Sequence, residues 1–220
     1  MVGTGRSERA RIGFQKKLDF AGREASDASE RRDVARNRGL IVEAARVLFE
    51  ERGVGGVTME EISRAAGVGK GTLYRRFPHK GLLCQALLDE PTRRFQAETL
   101  ESLGDPGLGP AEKLGHFLER FVWFTDENLD LLYGGHETLD GTERLAQFSH
   151  PSHGWLRGTV LGLLRAAREA GEIEGDLDVE YLADALLAPV GVDLFYHQRR
   201  VLGLPVERMA AGLRSLIPAR

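Results

Sequence analysis

The sequence predicts an all-α protein: a three-helix N-terminal unit followed by a larger helical domain. Apolar residues recur at three- and four-residue spacing in one segment after another, and no segment alternates with the period of two that a half-buried strand needs. Charge is divided unevenly. Residues 31–82 hold eleven Lys/Arg against six Asp/Glu, or +5, while residues 83–220 hold thirteen against twenty-two, or −9. The first thirty residues are +1, and the whole chain of 220 is −3. A basic segment on an acidic body suits a chain that presents one end to a polyanion.

Residues 1–30 are charged, rich in Gly, Ser and Ala, and weakly periodic. They read as a disordered arm, more a solvated tail than a DNA-holding one, because acids are interspersed with Arg6, Arg9, Arg11, Lys16 and Lys17. Residues 33–52 form the first helix, with Leu40, Ile41, Ala44, Ala45, Leu48 and Phe49 as its inward stripe and Gly53 as its stop. Thr58 then has the position of an N-cap, and Glu61 completes a capping-box pattern. Met59, Ile62, Ala65 and Ala66 give a short apolar face. Gly67 ends that helix, Val68 is an apolar anchor, and a second short helix follows with Leu73 and Phe77 inward. Its outer face carries Lys70, Thr72, Arg75 and Arg76, with Tyr74 beside it. Pro78 stops it, and Lys80 starts the next helix.

Two short helices joined by a Gly turn, the second one cationic, have the layout of a helix-turn-helix over about 57–76 that docks in the major groove of double-stranded DNA. Cations supply affinity for the phosphate backbone. Gly69, Gly71 and Thr72 let the helix N-terminus come close to phosphates and base edges. Arg pairs with guanine by two prongs and Thr meets a thymine methyl. Thr58, Gly69, Lys70, Gly71, Thr72, Tyr74, Arg75, Arg76 and Lys80 are the candidate DNA-contacting residues.

The run G-V-G-K-G-T-L-Y-R-R-F-P-H-K resembles the recognition-helix signature of TetR-type transcriptional regulators, commonly G-V-S-x-G-x-L-Y-x-x-F-x-x-K. Gly67, Val68, Gly71, Leu73, Tyr74, Phe77 and Lys80 match it. The resemblance covers about residues 34–94. Two positions depart from the pattern. Gly69 stands where Ser or Thr is usual, removing a capping hydroxyl, and Ser63 stands where a small Ala usually packs. The resemblance implies a DNA-binding domain over 34–94 and a helical ligand-binding and dimerisation domain over 95–220. It also implies a homodimer on a palindromic operator and an unidentified small-molecule effector, with repression as the favoured outcome.

A helix from about His79 to Leu103 contains Pro91, where a kink or break is expected. Gly104–Pro110 is a loop. A helix over 111–125 turns Leu114, Phe117, Leu118, Phe121 and Val122 inward. A short helix over 127–133 is expected to end at Gly134-Gly135, and another covers about 137–148. Pro151–Gly154 reads as a turn before a helix over 155–170. Asp178 caps a helix running to about Gln198 through Pro189, and the last helix covers about 206–216. The stripes Leu182, Ala183, Leu186, Leu187, Val190, Leu194 and Val206, Met209, Ala210, Leu213, Leu216, Ile217 suit a four-helix bundle between two chains, or else the closing of one chain's own core.

The body concentrates aromatic residues. Phe117, Phe121, Trp123, Phe124, Tyr133, His136 and Trp155 are the candidate effector-pocket residues. Each is more often core than ligand site, but on one helix Phe117, Phe121, Trp123 and Phe124 point more than one way. His150 and His153 have a metal-site spacing without further ligands, so no metal or cofactor is assigned. Cys84 reads as buried filler more readily than as a thiol sensor. No apolar run approaches a membrane span and no apolar signal core opens the chain, which implies a cytoplasmic protein without a membrane partner. The alternative, a helical small-molecule-binding protein or enzyme without DNA binding, lacks any nucleophile–base, metal, P-loop or dinucleotide motif.

Overall fold

The computed structural model describes residues 32–137 and 139–218. The expected N-terminal arm lies outside the described residues. The first helix, α1, covers 32–52 and buries Ile41, Ala45 and Phe49 at i, i+4 and i+8. Leu40 is not part of that stripe; it is 44% exposed. Ala44 and Leu48, expected in the same stripe, are partly buried and pack against this core beside that row. Gly53, at φ 71°, closes α1 with its N–H on the Phe49 carbonyl.

Helices α2 (Met59–Ala65) and α3 (Lys70–Arg76) follow, then the long α4 (Lys80–Leu103). Ile62, Leu73, Phe77, Val54 and Val57 join the α1 residues in one small core. Leu83 and Cys84 of α4 complete it. Burial pushes the Cys84 thiol up to about 11, the state of an inert packing group.

No break interrupts α4 at Pro91. An internal proline costs a helix about 3 kcal/mol. Here α4 is anchored on both sides of it, by Leu83 and Cys84 in the N-terminal core and by Phe95 in the core of the body. One rigid element thus belongs to both cores.

The body consists of α5 (Pro110–Glu127), α6 (Leu129–His136), α7 (Gly141–Ala146), α8 (Pro151–Glu169), α9 (Val179–Leu187), α10 (Val192–Tyr196) and α11 (Val206–Arg214). Helix α5 lies at its centre, packed by α8 and α11. Leu114, Phe117, Leu118, Phe121 and Val122 are buried as the periodicity requires. The Glu172 carboxylate reaches back to accept from the Ala111 N–H at 2.7 Å, capping α5 from the loop after α8. Arg199 bonds Asp126 at 3.0 Å and the Leu204 carbonyl at 2.6 Å, tying the C-terminal turns to the end of α5.

Four further expectations are corrected. Gly134 and Gly135 lie inside α6 rather than ending it. They are the close-approach face of that helix: a Cβ on Gly134 would stand 2.5 Å from Val54 Cγ1, and one on Gly135 would stand 3.5 Å from Cys84 Cβ. Pro151–Gly154 is the first turn of α8, with Pro151 at its start and His150 Nδ1 accepting from the Ser152 N–H at 3.2 Å. The helix expected over 137–148 shrinks to α7 and a 3₁₀ turn, Gln147–Ser149. The helix expected through Pro189 is divided. It stops at Leu187, makes a 3₁₀ turn over Ala188–Val190, restarts after Gly191 as α10 and ends in a π turn, His197–Val201.

Candidate nucleic-acid interface

The helix-turn-helix is assembled by short-range bonds. The Thr58 hydroxyl accepts from the Glu61 N–H at 3.2 Å, and the Glu61 carboxylate accepts from the Thr58 N–H at 2.8 Å. This reciprocal pair satisfies two otherwise unmatched donors. Glu61 also receives Arg52 from the end of α1 at 2.9 Å. That guanidinium, helped by the two Thr58 bonds, brings the Glu61 carboxyl down to about 2. The box therefore fixes α2 against α1 as well as starting it.

At the other end of α2, Val68 N–H bonds the Ser63 carbonyl at 3.1 Å and Gly67 N–H bonds that of Arg64 at 3.2 Å. These are the two bonds of a Schellman turn, with Gly67 in the left-handed region at φ 65°. The Ser63 hydroxyl adds a third, donating to the Val68 carbonyl at 2.7 Å. Sequence reading admitted Ser63 only as small enough to pack; its hydroxyl also pins the turn.

Beyond the turn, α3 buries Leu73 and turns its other faces out. Lys70, Gly71, Tyr74 and Arg75 are exposed, and Thr72 and Arg76 are half-buried. Neither Arg75 nor Arg76 has an ion-pair partner among the described residues. Gly69 caps α3 by backbone only, and a Cβ on Gly69 or Gly71 would meet nothing within 4 Å. The fold itself thus makes no demand for glycine at either position. Glycine inside an exposed helix costs about 0.5–1 kcal/mol against alanine, so its presence at Gly71 fits an outside surface that approaches closely.

Three of the sequence candidates are engaged within the chain. The Thr58 hydroxyl gives its proton to Glu61 at 2.7 Å. Lys70 pairs with Glu60 across the turn, both side chains more than half exposed. Lys80 donates to the Val54 carbonyl at 2.7 Å, joining the start of α4 to the loop before α2. Exposed pairs such as Lys70–Glu60 contribute little and exchange readily for a phosphate. Arg38 of α1 stacks over the Phe77 ring at 5.5 Å, closing the far end of α3.

The effector-pocket candidates fall into three places. Phe117, Phe121, Phe124 and Trp155 surround Phe95 of α4, with ring centroids 4.8–6.1 Å from it. Trp123 instead faces a cleft between α4 and α5, whose lining Phe124 shares. Tyr133 stacks on Tyr196 at 3.7 Å, and the buried His136 lies 3.2 Å from Asp193. Phe95 is the residue that sequence reading passed over. Nothing local on α4 singles it out, and only tertiary packing makes it the hub of the rings.

A helix-turn-helix head with an exposed cationic face, mounted on a helical body through the shared α4 and the close face of α6, defines a DNA-binding regulator. Known proteins agree. Residues 41–87 match the family model described as bacterial regulatory proteins, tetR family. The chain is 31% identical over 202 residues to the HTH-type transcriptional regulator TtgR of Pseudomonas putida, covering 81% of this chain and 94% of TtgR. It is 32% identical over 103 residues to the HTH-type transcriptional regulator SAB2452 of Staphylococcus aureus, and so spans 55% of that protein. The fold matches the transcriptional regulator FadR of Bacillus subtilis in complex with stearoyl-CoA. That match has a TM-score of 0.62 and 19% identity, and covers 82% of this chain and 97% of FadR. The chain belongs to the TetR family of DNA-binding transcriptional regulators. Among the described residues no helix is long and apolar enough to cross a membrane.

Proposed function

We propose that the protein is a homodimeric repressor whose grip on a palindromic operator is set by a small molecule bound in the body. The membership of α4 in both cores carries this reading, because a shift of Phe95 among the rings moves the same rigid helix that holds Leu83 and Cys84 in the head. Effector binding is then coupled to the spacing of two heads on the duplex. The B. subtilis FadR complex with stearoyl-CoA gives a precedent for an effector on this fold. The aromatic surround of Phe95 favours an apolar effector here.

Dimerisation is supported by what the monomer leaves uncovered. The buried residues of α9 and α11 serve the chain's own core, yet Leu194, Val201, Leu202 and Leu216 are each about half exposed or more. Leu194 and Leu216, members of the stripes read as suiting either a bundle between two chains or the chain's own core, stand at the surface. A second copy that covers them places two heads on two half-sites, as a two-fold operator requires.

The test is fluorescence anisotropy with duplexes tiled across DNA upstream of the gene, in low and moderate salt, alongside light scattering. A dimer that binds one palindromic duplex with a steep salt dependence is expected. A monomer at micromolar concentration, or the absence of any preferred duplex at low salt, overturns the reading. Tyr74→Ala and Lys80→Ala are expected to weaken all duplexes alike. Arg75→Ala and Lys70→Ala are expected to relax preference at particular base pairs, by about 1–3 kcal/mol each.

A further inference from the structure

We infer that Glu60, on the first turn of α2, is a specificity-determining residue of the DNA-reading surface, and that it reads a G·C base pair together with Lys70. This rests on the reading of α3 as the helix that enters the major groove. Lys70 is the first residue of α3, and the N-terminal residues of a recognition helix are the ones that meet base edges. Glu60 comes from the neighbouring helix, yet its carboxylate is hydrogen-bonded to the Lys70 ammonium. That bond puts the acid beside the base-reading end of α3. Both side chains are more than half exposed, 54% for Glu60 and 63% for Lys70. Capping does not account for the acid, because Glu61 already closes the box with Thr58. A carboxylate on a surface that faces phosphates opposes binding to any duplex. Its place there fits discrimination and not affinity.

The chemistry of the pair selects the base pair. The bond between them uses one of the three ammonium protons and one of the two carboxylate oxygens. Two donors beside an acceptor remain. In the major groove a G·C pair displays guanine N7 and O6, both acceptors, and then the cytosine N4 donor. Lys70 on guanine and Glu60 on the cytosine amino group match that order with the pair intact. In an A·T pair the adenine accepts at N7 only, and thymine sets an acceptor and a methyl beside the carboxylate. The Lys70 bond, and then the charges of Lys70 and Arg64, hold the Glu60 carboxyl below its usual range, so it is an acceptor at neutral pH. Arg64 is exposed on α2, four residues on from Glu60. On a random duplex Lys70 reaches a phosphate only by leaving Glu60 to face the polyanion. The pair thus contributes on one base pair and is a cost elsewhere.

The full chain is presented with a randomised duplex library and the bound duplexes are sequenced, for the parent, Glu60→Gln, Lys70→Ala and the double variant. The parent is expected to enrich G·C at one position of each half-site, and both single variants to lose preference at that same position. Fluorescence anisotropy on the enriched duplex and on its A·T-substituted version then gives the size. About tenfold discrimination is expected in the parent and about threefold or less in Glu60→Gln. The double variant is expected to lose no more discrimination there than Lys70→Ala alone. Random duplex is expected to bind Glu60→Gln about threefold more tightly than the parent, with a salt slope steeper by about one, because Lys70 is released to a phosphate. Glu60→Gln is a same-size change at an exposed site, so it keeps the fold, which circular dichroism checks. An acid that serves only the dipole of α2 moves the melting midpoint and not the base preference. Unaltered preference at every position in Glu60→Gln, a change at a position other than that of Lys70→Ala, or A·T enriched at the shared position overturns the proposal and leaves the operator reading standing. A parent that enriches no sequence overturns both.

Discussion

The head and the body of this protein reach order by different means. In the head, α2 and α3 have seven residues each, too short to persist alone in water. They are specified by bonds at their ends: the Thr58–Glu61 box, the Arg52 tie, and the Gly67 turn locked by Ser63. In the body, α5 and α8 have eighteen and nineteen residues, and they are specified by apolar area and by rings gathered round Phe95. The head is thus tuned by single polar atoms and the body by volume. A shared α4 lets the second kind of change reach the first.

The largest test of this contrast removes volume from the body. Phe117→Ala deletes a ring packed on Phe95, Phe121 and Trp155, and is expected to cost about 3–5 kcal/mol. Both tryptophans, Trp123 and Trp155, lie in the body, so their emission follows the body alone in a urea melt. Circular dichroism follows all the helices. Coincident transitions at a lowered midpoint are expected, because α4 ties the two cores together. Separate transitions would show that the proline-bearing helix does not transmit loss of packing to the head.

Next in size is the seam. Gly134→Ala is expected to cost about 1–3 kcal/mol by overpacking, because its new Cβ meets Val54, a branched side chain held in the core of the head. Adding Val54→Ala opens the space, so the double variant is expected to be more stable than the additive sum of the two singles. Additive midpoints in the same melts would place the glycine's role within α6 and not at the head.

This seam also marks the limit of what the sequence discloses. The head was legible because its signals are local. A cap, its box partner three residues on, a turn glycine and a proline stop all act within a few residues. The inward face of α5 was legible because its period is strong. Gly134 and Gly135 were misleading because glycine does two things. It ends helices, and it lets backbones come close; only the arrival of Val54 and Cys84 from elsewhere decides which. The two prolines show the same ambiguity. Pro91 leaves α4 unbroken since packing holds the helix on either side of it. Pro189 sits in a 3₁₀ turn followed by the extended Gly191, and there the helix stops. The ring cluster was visible as composition, but its hub and the separate cleft at Trp123 depend on how α4 crosses α5.

Smaller effects belong to the head. Glu61 carries a carboxyl lowered from the usual 4.5 to about 2, first by Arg52 and then by the Thr58 bonds. A carboxyl lowered in the folded state stabilises fully above about pH 4.5 and ceases to do so as pH falls through about 2. Glu61→Gln is therefore expected to be less stable than the parent at pH 7, by less than Gly134→Ala. The gap should close as the pH is lowered from about 4.5 toward 2. A gap that persists at acid pH would show that shape, and not charge, is what Glu61 supplies. Ser63→Ala removes the hydroxyl on the Val68 carbonyl and is expected to cost about 0.5–1.5 kcal/mol. Its loss in operator affinity should exceed that of any body variant of equal stability cost, since the turn sets the angle of α3.

The smallest expected effect is the most specific to the contrast. Gly69→Ser restores the hydroxyl that a capping position favours. It meets no obstacle, because a Cβ there has nothing within 4 Å. The backbone already has the extended conformation of an N-cap, φ −68° and ψ 146°. A gain of only a few tenths of a kcal/mol is expected, as for other Gly-to-Ser exchanges at this position. The small shift should appear in the midpoint of chemical unfolding. Operator affinity can move independently of it, because the new hydroxyl stands at the exposed N-terminus of α3, where a phosphate would be met. A gain in stability with a loss in operator affinity would mean that Gly69 is kept for closeness to DNA. A gain in both would mean that the head tolerates an unfilled cap because its other end bonds suffice.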